Sequence, residues 1–462
     1  MQERFHPVRV LKFARRKARR YWLNYGPFWL GAVLVGFVAV LFARWGDMAQ
    51  LQFARWIEGR AWLALFITPA LTAACVWLTR RFFVGSEGSG IPQVIAALHA
   101  PHRVRLIPGL FGLRIIVGKI GVGLMGLLGG LTIGREGPTV HIGASVMYEM
   151  RRFYPRASPK LERHLLLAGA AAGLSGAFNT PLAGIVFAIE EVARSFETRT
   201  NGTLITAIVF SGLVSLALAG NYLYFGQIAA PDLLPMSFAV PCLFAAVLCG
   251  VGGGCFNLLL LHQARWIPSK LRAVRAARPL VWGAGLGLAV AAVGVATGGD
   301  TWGSGYHQAR ALLMDERDTV GVIYPFLKML TMVLTYLSGI PAGLFSPSLS
   351  IGAGFGGVAT TLFPGAPVSA LVAVGMVGYL AAVTQSPLTS FIIVMEMSNG
   401  GGLVIALMAT ALVSSRVAGL FTPPLYEALA RQNYAPAAPA PTPPPRAALP
   451  APDAPPSQPP RP

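Results

Sequence analysis

The chain has 462 residues, of which 54% are hydrophobic and only 12% are charged. An average soluble domain has about 25% charged residues, so this composition excludes a soluble enzyme of this length. The formal net charge of +19 would be typical of a nucleic-acid-binding protein if the basic residues formed one solvated face. Eight of them instead lie within the first 20 positions, directly before an apolar run, and we therefore expect no nucleic-acid partner.

The chain divides into three parts by composition. Residues 1–26 form a basic segment, and basic residues beside an apolar run are kept in the cytoplasm, so we expect a cytoplasmic N-terminus. Hydrophobic stretches follow, roughly ten of them at the length of a bilayer-spanning helix; the one from Leu165 to Ile189 is an example. This pattern predicts an all-α, polytopic membrane domain over 27–431. The Pro- and Ala-rich tail, 432–462, is expected to be extended and disordered.

Three segments rich in glycine and proline interrupt the hydrophobic stretches. They read G-S-G-I-P at 88–92, G-R-E-G-P at 134–138 and G-L-F-S-P at 343–347. Irregular backbone at membrane depth is tolerated only where it is buried in protein or lines a polar cavity. A helix can begin at each proline, with its unpaired N–H groups and positive dipole end in the membrane interior. Such ends together would bind an anion without a fully charged ligand; the alternative is that these residues only kink helices for packing.

Glu136, inside the second of these segments, is the most informative single residue. An ionisable side chain within a membrane segment is costly and indicates function. At a helix N-terminus its carboxylate would occupy the place of an external anion, and protonation would release it, which would couple a proton to anion movement. The alternative is a structural ion pair with Arg135, which the spacing disfavours because successive helical residues do not face each other.

An internal repeat organises the membrane domain. Residues 134–144 and 343–353 match at Gly, Pro, a hydroxyl residue, an aliphatic residue and Ile-Gly-Ala, at an offset of 209 positions. This match and a second one at almost the same offset, described below, indicate a duplication, with halves at about 27–225 and 236–431. Duplicated halves with discontinuous helices are typical of transporters, whose site lies between the repeats.

The second match between the halves pairs two proline–glutamate segments. Pro181 is followed nine positions later by Glu190, and Pro387 is followed at the same spacing by Glu396. Because Glu190 has this counterpart in the other half, we interpret Glu190 and Glu396 as structural residues that cap or pair inside the fold.

The three motifs in this order, with Tyr426 in the final helical stretch, resemble the CLC family of chloride channels and chloride/proton antiporters. The resemblance runs from about Pro27 to Arg431 and implies an inverted repeat of tilted, discontinuous helices. It also implies a homodimer with one pore per subunit, of the prokaryotic type without C-terminal regulatory domains, in the inner membrane. The hydroxyls of Ser89 and Tyr426 and the N–H groups of Leu344 and Phe345 would then bind chloride. The supporting residues would be Gly88, Gly90, Pro92, Lys119, Arg135, Gly137, Pro138, Gly343 and Pro347.

The resemblance also assigns the residues that would move protons. Glu136 matches the external gating glutamate, and Glu191 matches the internal glutamate that passes protons in family antiporters. Many family channels have an apolar residue at the second position, so Glu191 favours coupled exchange over a passive chloride channel. Lys119 matches a buried family lysine, but Gln93 and Ile95 stand where antiporters have carboxylates. This departure favours the channel and leaves the internal proton route open.

The resemblance implies chloride as the substrate, because chloride-preferring members have serine at the position of Ser89 and nitrate-preferring relatives tend to have proline. Bromide and nitrate are expected surrogates, and neither a cofactor nor a metal is expected. The four cysteines, Cys75, Cys242, Cys249 and Cys255, are expected to be small buried helix residues. A remote alternative is an intramembrane serine protease, with Ser175 as nucleophile and His262 as base.

Overall fold

The computed structural model describes residues 7–99, 109–155, 158–193, 202–220, 223–226, 236–316, 320–398 and 400–434, and these residues are almost entirely helical. The α-helices of the first half are Pro7–Ile57 (α1), Ala64–Phe82 (α2), Ile91–His99 (α3), Leu113–Leu128 (α4), Glu136–Met150 (α5), Pro159–Phe178 (α6), Pro181–Phe187 (α7) and Gly202–Ala219 (α8). The remaining helices are Ala239–Leu261 (α9), Gln263–Trp266 (α10), Ser269–Ala277 (α11), Pro279–Ala296 (α12), Tyr306–Leu313 (α13), Tyr324–Leu337 (α14), Phe345–Leu362 (α15), Val368–Thr384 (α16), Pro387–Ser398 (α17), Val404–Gly419 (α18) and Leu425–Tyr434 (α19).

The predicted boundaries of the membrane domain fall inside helices. Helix α1 runs without interruption through position 27, with Pro27 in its interior, so the basic segment continues into the first hydrophobic stretch as one helix. Helix α19 ends at Tyr434. The predicted tail lies outside the described residues from position 435 onward.

Six helices within the described residues are long and apolar enough to cross a membrane. This number is smaller than expected because some hydrophobic stretches are divided. The single span predicted from Leu165 to Ile189 is wrong, since α6 ends at Phe178 and Asn179 adopts a left-handed conformation with φ of 57°. A left-handed residue cannot continue an α-helix, so α7 begins separately. Gln385, with φ of 56°, divides α16 from α17 in the same way.

The order of helices confirms the internal repeat. Helices α4 to α8 in the first half correspond in order to α14 to α18 in the second. Helix α16 begins 209 positions after α6, and α17 begins 206 positions after α7, which matches the offsets of the sequence motifs.

Glycines let the central helices of each half approach closely. A Cβ atom on Gly143 of α5 would lie 2.2 Å from the carbonyl oxygen of Gly169 on α6. The same contact recurs between Gly352 of α15 and Gly375 of α16, at 2.4 Å. Small residues allow membrane helices to pack backbone against backbone, and these crossings fix the positions of α5 and α15.

The two halves meet through a reciprocal backbone pair. Gly134 N–H donates to the Gly343 carbonyl at 2.9 Å, and Gly343 N–H donates to the Gly134 carbonyl at 3.0 Å. Such an exchange relates the halves by a local twofold axis, and it places the N-termini of α5 and α15 side by side. The glycine-rich breaks are therefore buried in protein, where their polar backbone groups find partners.

Three of the cysteines are buried as expected, but Cys255 is exposed. It lies on α9, one of the six apolar helices, and an apolar helix that faces lipid exposes such residues on its outer side.

Candidate ion-binding site

The three glycine- and proline-rich segments converge at the centre of the molecule. Gly88 N–H donates to the Ile340 carbonyl at 3.0 Å, and Ala342 N–H donates to the Gly88 carbonyl at 3.1 Å. These bonds join the first segment to the third, and the Gly134–Gly343 pair joins the third to the second. Helices α3, α5 and α15 therefore begin around one region, which their dipoles and unpaired N–H groups make favourable for an anion.

The serine of the first segment contacts the second segment directly. A Cβ atom on Gly137 would lie 2.4 Å from Ser89 Oγ, so this approach requires glycine at position 137. Gly90 has a φ of 97° and packs against the buried side chain of His141. A larger residue at either position would separate the helix ends.

The Glu136 carboxylate binds to the N-terminus of α15, in the other half of the chain. Its Oε1 accepts a hydrogen bond from Ser346 Oγ at 2.5 Å, and its Oε2 accepts one from Ser346 N–H at 3.3 Å. Glu136 is fully buried. The carboxylate thus takes the position that the helix end offers to an anion. Ser346 lies inside the G-L-F-S-P motif, but the sequence analysis did not identify it as the partner of Glu136.

Arg135 contacts this carboxylate and also lines a cavity of about 340 Å³. Its guanidinium forms an ion pair with Asp47 at 2.6 Å and lies over the ring of Tyr224, 5.5 Å from the centroid. Its Nε is 3.9 Å from Glu136 Oε1. The argument against an Arg135–Glu136 pair is therefore wrong: Arg135 immediately precedes α5, so the spacing of helical side chains does not apply to it.

Two buried hydroxyls line the opposite side of the site. Ser89 Oγ and the Tyr426 hydroxyl interact with each other, and neither has another hydrogen-bond partner among the described residues. Two hydroxyls carry two donor hydrogens and their mutual contact uses only one, so the remaining buried donor indicates a ligand that accepts a hydrogen bond. Phe345 stacks on Tyr426 with 6.0 Å between ring centroids, which fixes the tyrosine beside the start of α15. The N–H groups of Leu344 and Phe345 lie at the same helix end, where the helix itself provides no acceptor.

A second cavity, of about 360 Å³, opens from Ser89. Its lining includes Glu87 and the basic residues Arg80 and Arg275. These arginines give the cavity a positive potential that attracts anions toward Ser89.

Glu191 lies on a π-helical turn, Ala188–Ala193, that continues α7. Such turns are frequent at functional sites. The side chain is fully buried, and its Oε2 accepts a hydrogen bond from Ser386 Oγ. The Tyr426 hydroxyl lies within electrostatic range of both Glu191 and Glu136. Tyr426 is therefore electrostatically linked to both glutamates.

The neighbouring glutamate has a different environment. Glu190 accepts hydrogen bonds from the N–H groups of Leu388 at 3.0 Å and Thr389 at 2.6 Å, at the start of α17. Glu190 is a helix cap, as the repeat predicted.

Lys119 is buried, and its Nζ donates to the Gly88 carbonyl at 2.6 Å. Glu87, which precedes the G-S-G-I-P motif, interacts electrostatically with Lys119, and its carboxylate accepts a hydrogen bond from Gly85 N–H at 2.8 Å. Gln93 donates to the Glu87 carbonyl at 2.7 Å. The carboxylate closest in sequence to the motif is therefore at position 87 rather than at 93 or 95.

The second half contains a copy of this arrangement that the sequence analysis missed. Lys328 follows Lys119 by 209 positions, and its Nζ donates to the carbonyls of Thr301, Trp302 and Gly303. Gly303 begins a second glycine-serine-glycine segment. Its serine, Ser304, donates from both N–H and Oγ to Gln50 Oε1, at 3.0 and 3.1 Å. The repeat offset would have revealed the lysine; nothing in the sequence identified Gln50.

The described residues give no support to the serine protease alternative. Ser175 Oγ donates to the Ile208 carbonyl at 3.4 Å, and no hydrogen bond joins it to His262 in the described part of the chain. Nor do three His, Cys, Asp or Glu side chains there form a group that could hold a metal ion.

Comparison with known proteins identifies relatives over most of the chain. Residues 70–419 match the sequence model of the family described as voltage gated chloride channel. The chain is 31% identical over 388 residues to the H(+)/Cl(−) exchange transporter ClcA of Klebsiella pneumoniae strain 342, an alignment that covers 81% of this chain and 80% of that relative.

Two solved structures have a similar fold. An X-ray structure of a slow cyanobacterial Cl−/H+ antiporter has a TM-score of 0.73 at 23% identity and covers 88% of this chain and 98% of its own. A CLC-type fluoride/proton antiporter has a TM-score of 0.72 at 21% identity, with coverage of 87% and 96%. Because their sequence identities are 23% and 21%, these structural matches support the fold alone. Together with the sequence matches they confirm the predicted family and fold class.

Proposed function

The chain belongs to the CLC family, and on this premise we propose that it exchanges chloride for protons across a membrane. It is an integral membrane protein, with six helices of spanning length and composition in its described part. The observation that carries the proposal is the Glu136 carboxylate on the N-terminus of α15. One position binds either this carboxylate or a chloride ion, so a proton that neutralises Glu136 opens the position to the anion and links proton binding to anion binding.

The chloride-binding groups act through hydrogen bonds rather than full charges. Chloride accepts bonds from the hydroxyls of Ser89 and Tyr426 and from the N–H groups of Leu344 and Phe345. Neutral donors hold the ion weakly enough to release it, which transport requires. Bromide and nitrate accept similar bonds and substitute for chloride. The glycines and prolines of the three motifs, including Gly343 and Pro347, shape the backbone around the ion.

Glu136 is the external gate. A proton from the Arg135 cavity neutralises its carboxylate, which then loses its attraction for the positive end of α15 and leaves the anion position. Chloride enters from the Arg80 and Arg275 cavity in the opposite direction. The interaction of Glu136 with Arg135 and Ser346 determines how readily the carboxylate returns.

Glu191 is the internal proton-transfer residue. It is buried beside Tyr426, away from the Arg135 cavity, and exchanges protons with Glu136 across the anion site. Lys119 holds the Gly88 carbonyl and supports the Ser89 segment. Glu191 is the feature that separates this proposal from a passive chloride channel, which needs no second proton carrier.

The transport domain comprises residues 27–431, and the protein acts as a homodimer in the lipid bilayer of a prokaryotic inner membrane, with its N-terminus in the cytoplasm. The protein moves ions across the membrane in a defined direction. No bond is made or broken in the substrate, so the protein is not an enzyme.

The experiment that tests the proposal uses purified protein in liposomes. A chloride gradient is imposed, the voltage is clamped with valinomycin and potassium, and external pH is recorded. Exchange requires protons to move against their own gradient while chloride runs down its gradient, and an uncoupler must collapse the pH change. Chloride flux without proton movement would instead identify a passive channel, and the absence of chloride flux would refute chloride transport altogether.

A further inference from the structure

We propose that Ser386 is a positioning residue that holds the Glu191 carboxyl group on the proton route. This inference rests on the proposed antiport and on the role of Glu191 in it. Ser386 Oγ donates a hydrogen bond to Glu191 Oε2, across 195 positions of the chain and between the two halves. Both residues are buried, with exposed fractions of 1% and 0%.

The backbone of Ser386 is held independently of this contact. Its N–H donates to Thr384 Oγ1 at 3.2 Å, and its carbonyl accepts bonds from Ser390 N–H at 3.1 Å and Ser390 Oγ at 2.8 Å. The start of α17 is therefore fixed without the Ser386 hydroxyl. That hydroxyl remains available to orient the carboxyl group.

Comparison of the two halves of the repeat shows whether the Ser386 hydroxyl is needed for the fold or for function. The counterpart of Ser386 in the first half is Thr180, 206 positions earlier, and its Oγ1 has no hydrogen-bond partner among the described residues. The counterpart of Glu191 in the second half is Met397. A hydroxyl at this helix junction thus does not need a partner for the fold to form. Of the two matched junctions, only the one on the proposed proton route has a hydroxyl paired with a carboxyl group.

The chemistry of a hydroxyl suits a carboxyl group that repeatedly gains and loses a proton. A serine donates to the charged carboxylate and, after rotation about Cβ–Oγ, accepts from the protonated acid. The carboxyl group therefore keeps its orientation in both protonation states. Without the hydroxyl, the buried charged form loses a donor, and a hydrogen bond to a charged group is among the more stabilising ones.

The test measures proton and chloride fluxes on the same proteoliposomes. We expect Ser386→Ala to lower the ratio of protons to chloride ions by about tenfold or more, the fold-change that corresponds to the free energy of a hydrogen bond to a charged group. Chloride flux continues because Ser89 and Tyr426 are unchanged. Ser386→Thr retains the hydroxyl and keeps the wild-type ratio. Thr180→Ala, at the matched position of the other half, also keeps it.

Three outcomes would overturn the inference while wild-type protein remains coupled. The first is an unchanged ratio in Ser386→Ala, and the second is an equal loss in Thr180→Ala. The third is a lower chloride flux when Ser386→Ala is added to Glu191→Gln than in Glu191→Gln alone, because a residue that acts through Glu191 has no effect once Glu191 is replaced. If Ser386→Ala does not fold, Ser386→Cys keeps the volume with a weaker donor and is expected to lower the ratio in the same direction. Absence of coupling in the wild-type protein would refute the proposed antiport itself.

Discussion

Glu190 and Glu396 each cap a helix in the other half of the chain. Glu190 accepts from two N–H groups at the start of α17, and Glu396 accepts from Leu182 N–H at 3.2 Å and Ala183 N–H at 2.8 Å, at the start of α7. The two residues are the matched glutamates of the repeat. Each half thus supplies the anion that the helix dipole of the other half requires.

Replacement of Glu396 by alanine is expected to destabilise the protein without uncoupling it. The substitution leaves two N–H groups of α7 without their acceptor, at a cost of about 2 kcal/mol. The measurement is thermal unfolding of detergent-solubilised protein, followed by the flux ratio in liposomes. Arg431→Ala, at a residue of α19 whose side chain is 77% exposed in its ion pair with Glu427, is the control that should leave the unfolding temperature unchanged. A lower ratio of protons to chloride in Glu396→Ala would contradict a purely structural role.

Glu136→Gln should abolish proton movement while chloride flux persists. The amide retains the size of the side chain but neither carries a charge nor takes up a proton. It therefore leaves the N-terminus of α15 open to chloride and cannot carry protons. The measurement is external pH under a chloride gradient at clamped voltage. Continued uphill proton transport in this variant would remove Glu136 from the mechanism.

Glu191→Gln is expected to uncouple proton transport in the same assay, because the internal carrier is lost while the groups that bind chloride remain. Glu190→Gln is the matched control: it is the preceding residue, yet it faces the start of α17. Its amide oxygen still accepts one hydrogen bond, so coupling should stay near the wild-type level. Equal uncoupling by both substitutions would show that the turn as a whole, rather than Glu191, is required.

Ser89→Pro should shift anion preference toward nitrate. The substitution removes the Ser89 hydroxyl from the proposed anion site and leaves the other donors to bind the ion. The ratio of nitrate to chloride flux is the readout. Ser304→Ala tests the matched serine of the second half, whose hydroxyl binds Gln50, and should leave this ratio unchanged. Unchanged selectivity in Ser89→Pro would show that Ser89 does not set it.

The sequence predicted the parts of the site that are local. Each glycine- and proline-rich motif determines its own helix start, so the convergence of three helix ends and the position of Glu136 at one of them could be expected. The family resemblance supplied Ser89 and Tyr426, and the structure places their hydroxyls near each other. The repeat offset predicted the capping pair, because both partners have the same spacing from a proline.

The pairs that cross between halves could not be predicted. Ser346 is 210 positions from Glu136, and Ser386 is 195 positions from Glu191. Such contacts depend on how the helices pack, which spacing along one segment does not encode. The expected span from Leu165 to Ile189 failed for a local reason. Its hydrophobicity is continuous, and the chain turns at Asn179, which takes the left-handed conformation that glycine adopts more often.

The second glycine-serine-glycine segment makes the two halves of the repeat differ in the environment of their serines. The two halves share the same helix order, the same glycine crossings and the same buried lysine, as expected after a duplication. In the second half, however, Gln50 binds Ser304 and Lys328 binds the Gly303 carbonyl, so that serine is already occupied. In the proposed pathway, an ion therefore meets an available serine at Ser89 and not at Ser304. The energy profile that the ion meets on inward passage then differs from the one on outward passage. We therefore expect the turnover rates of the transporter to differ under equal and opposite chloride gradients.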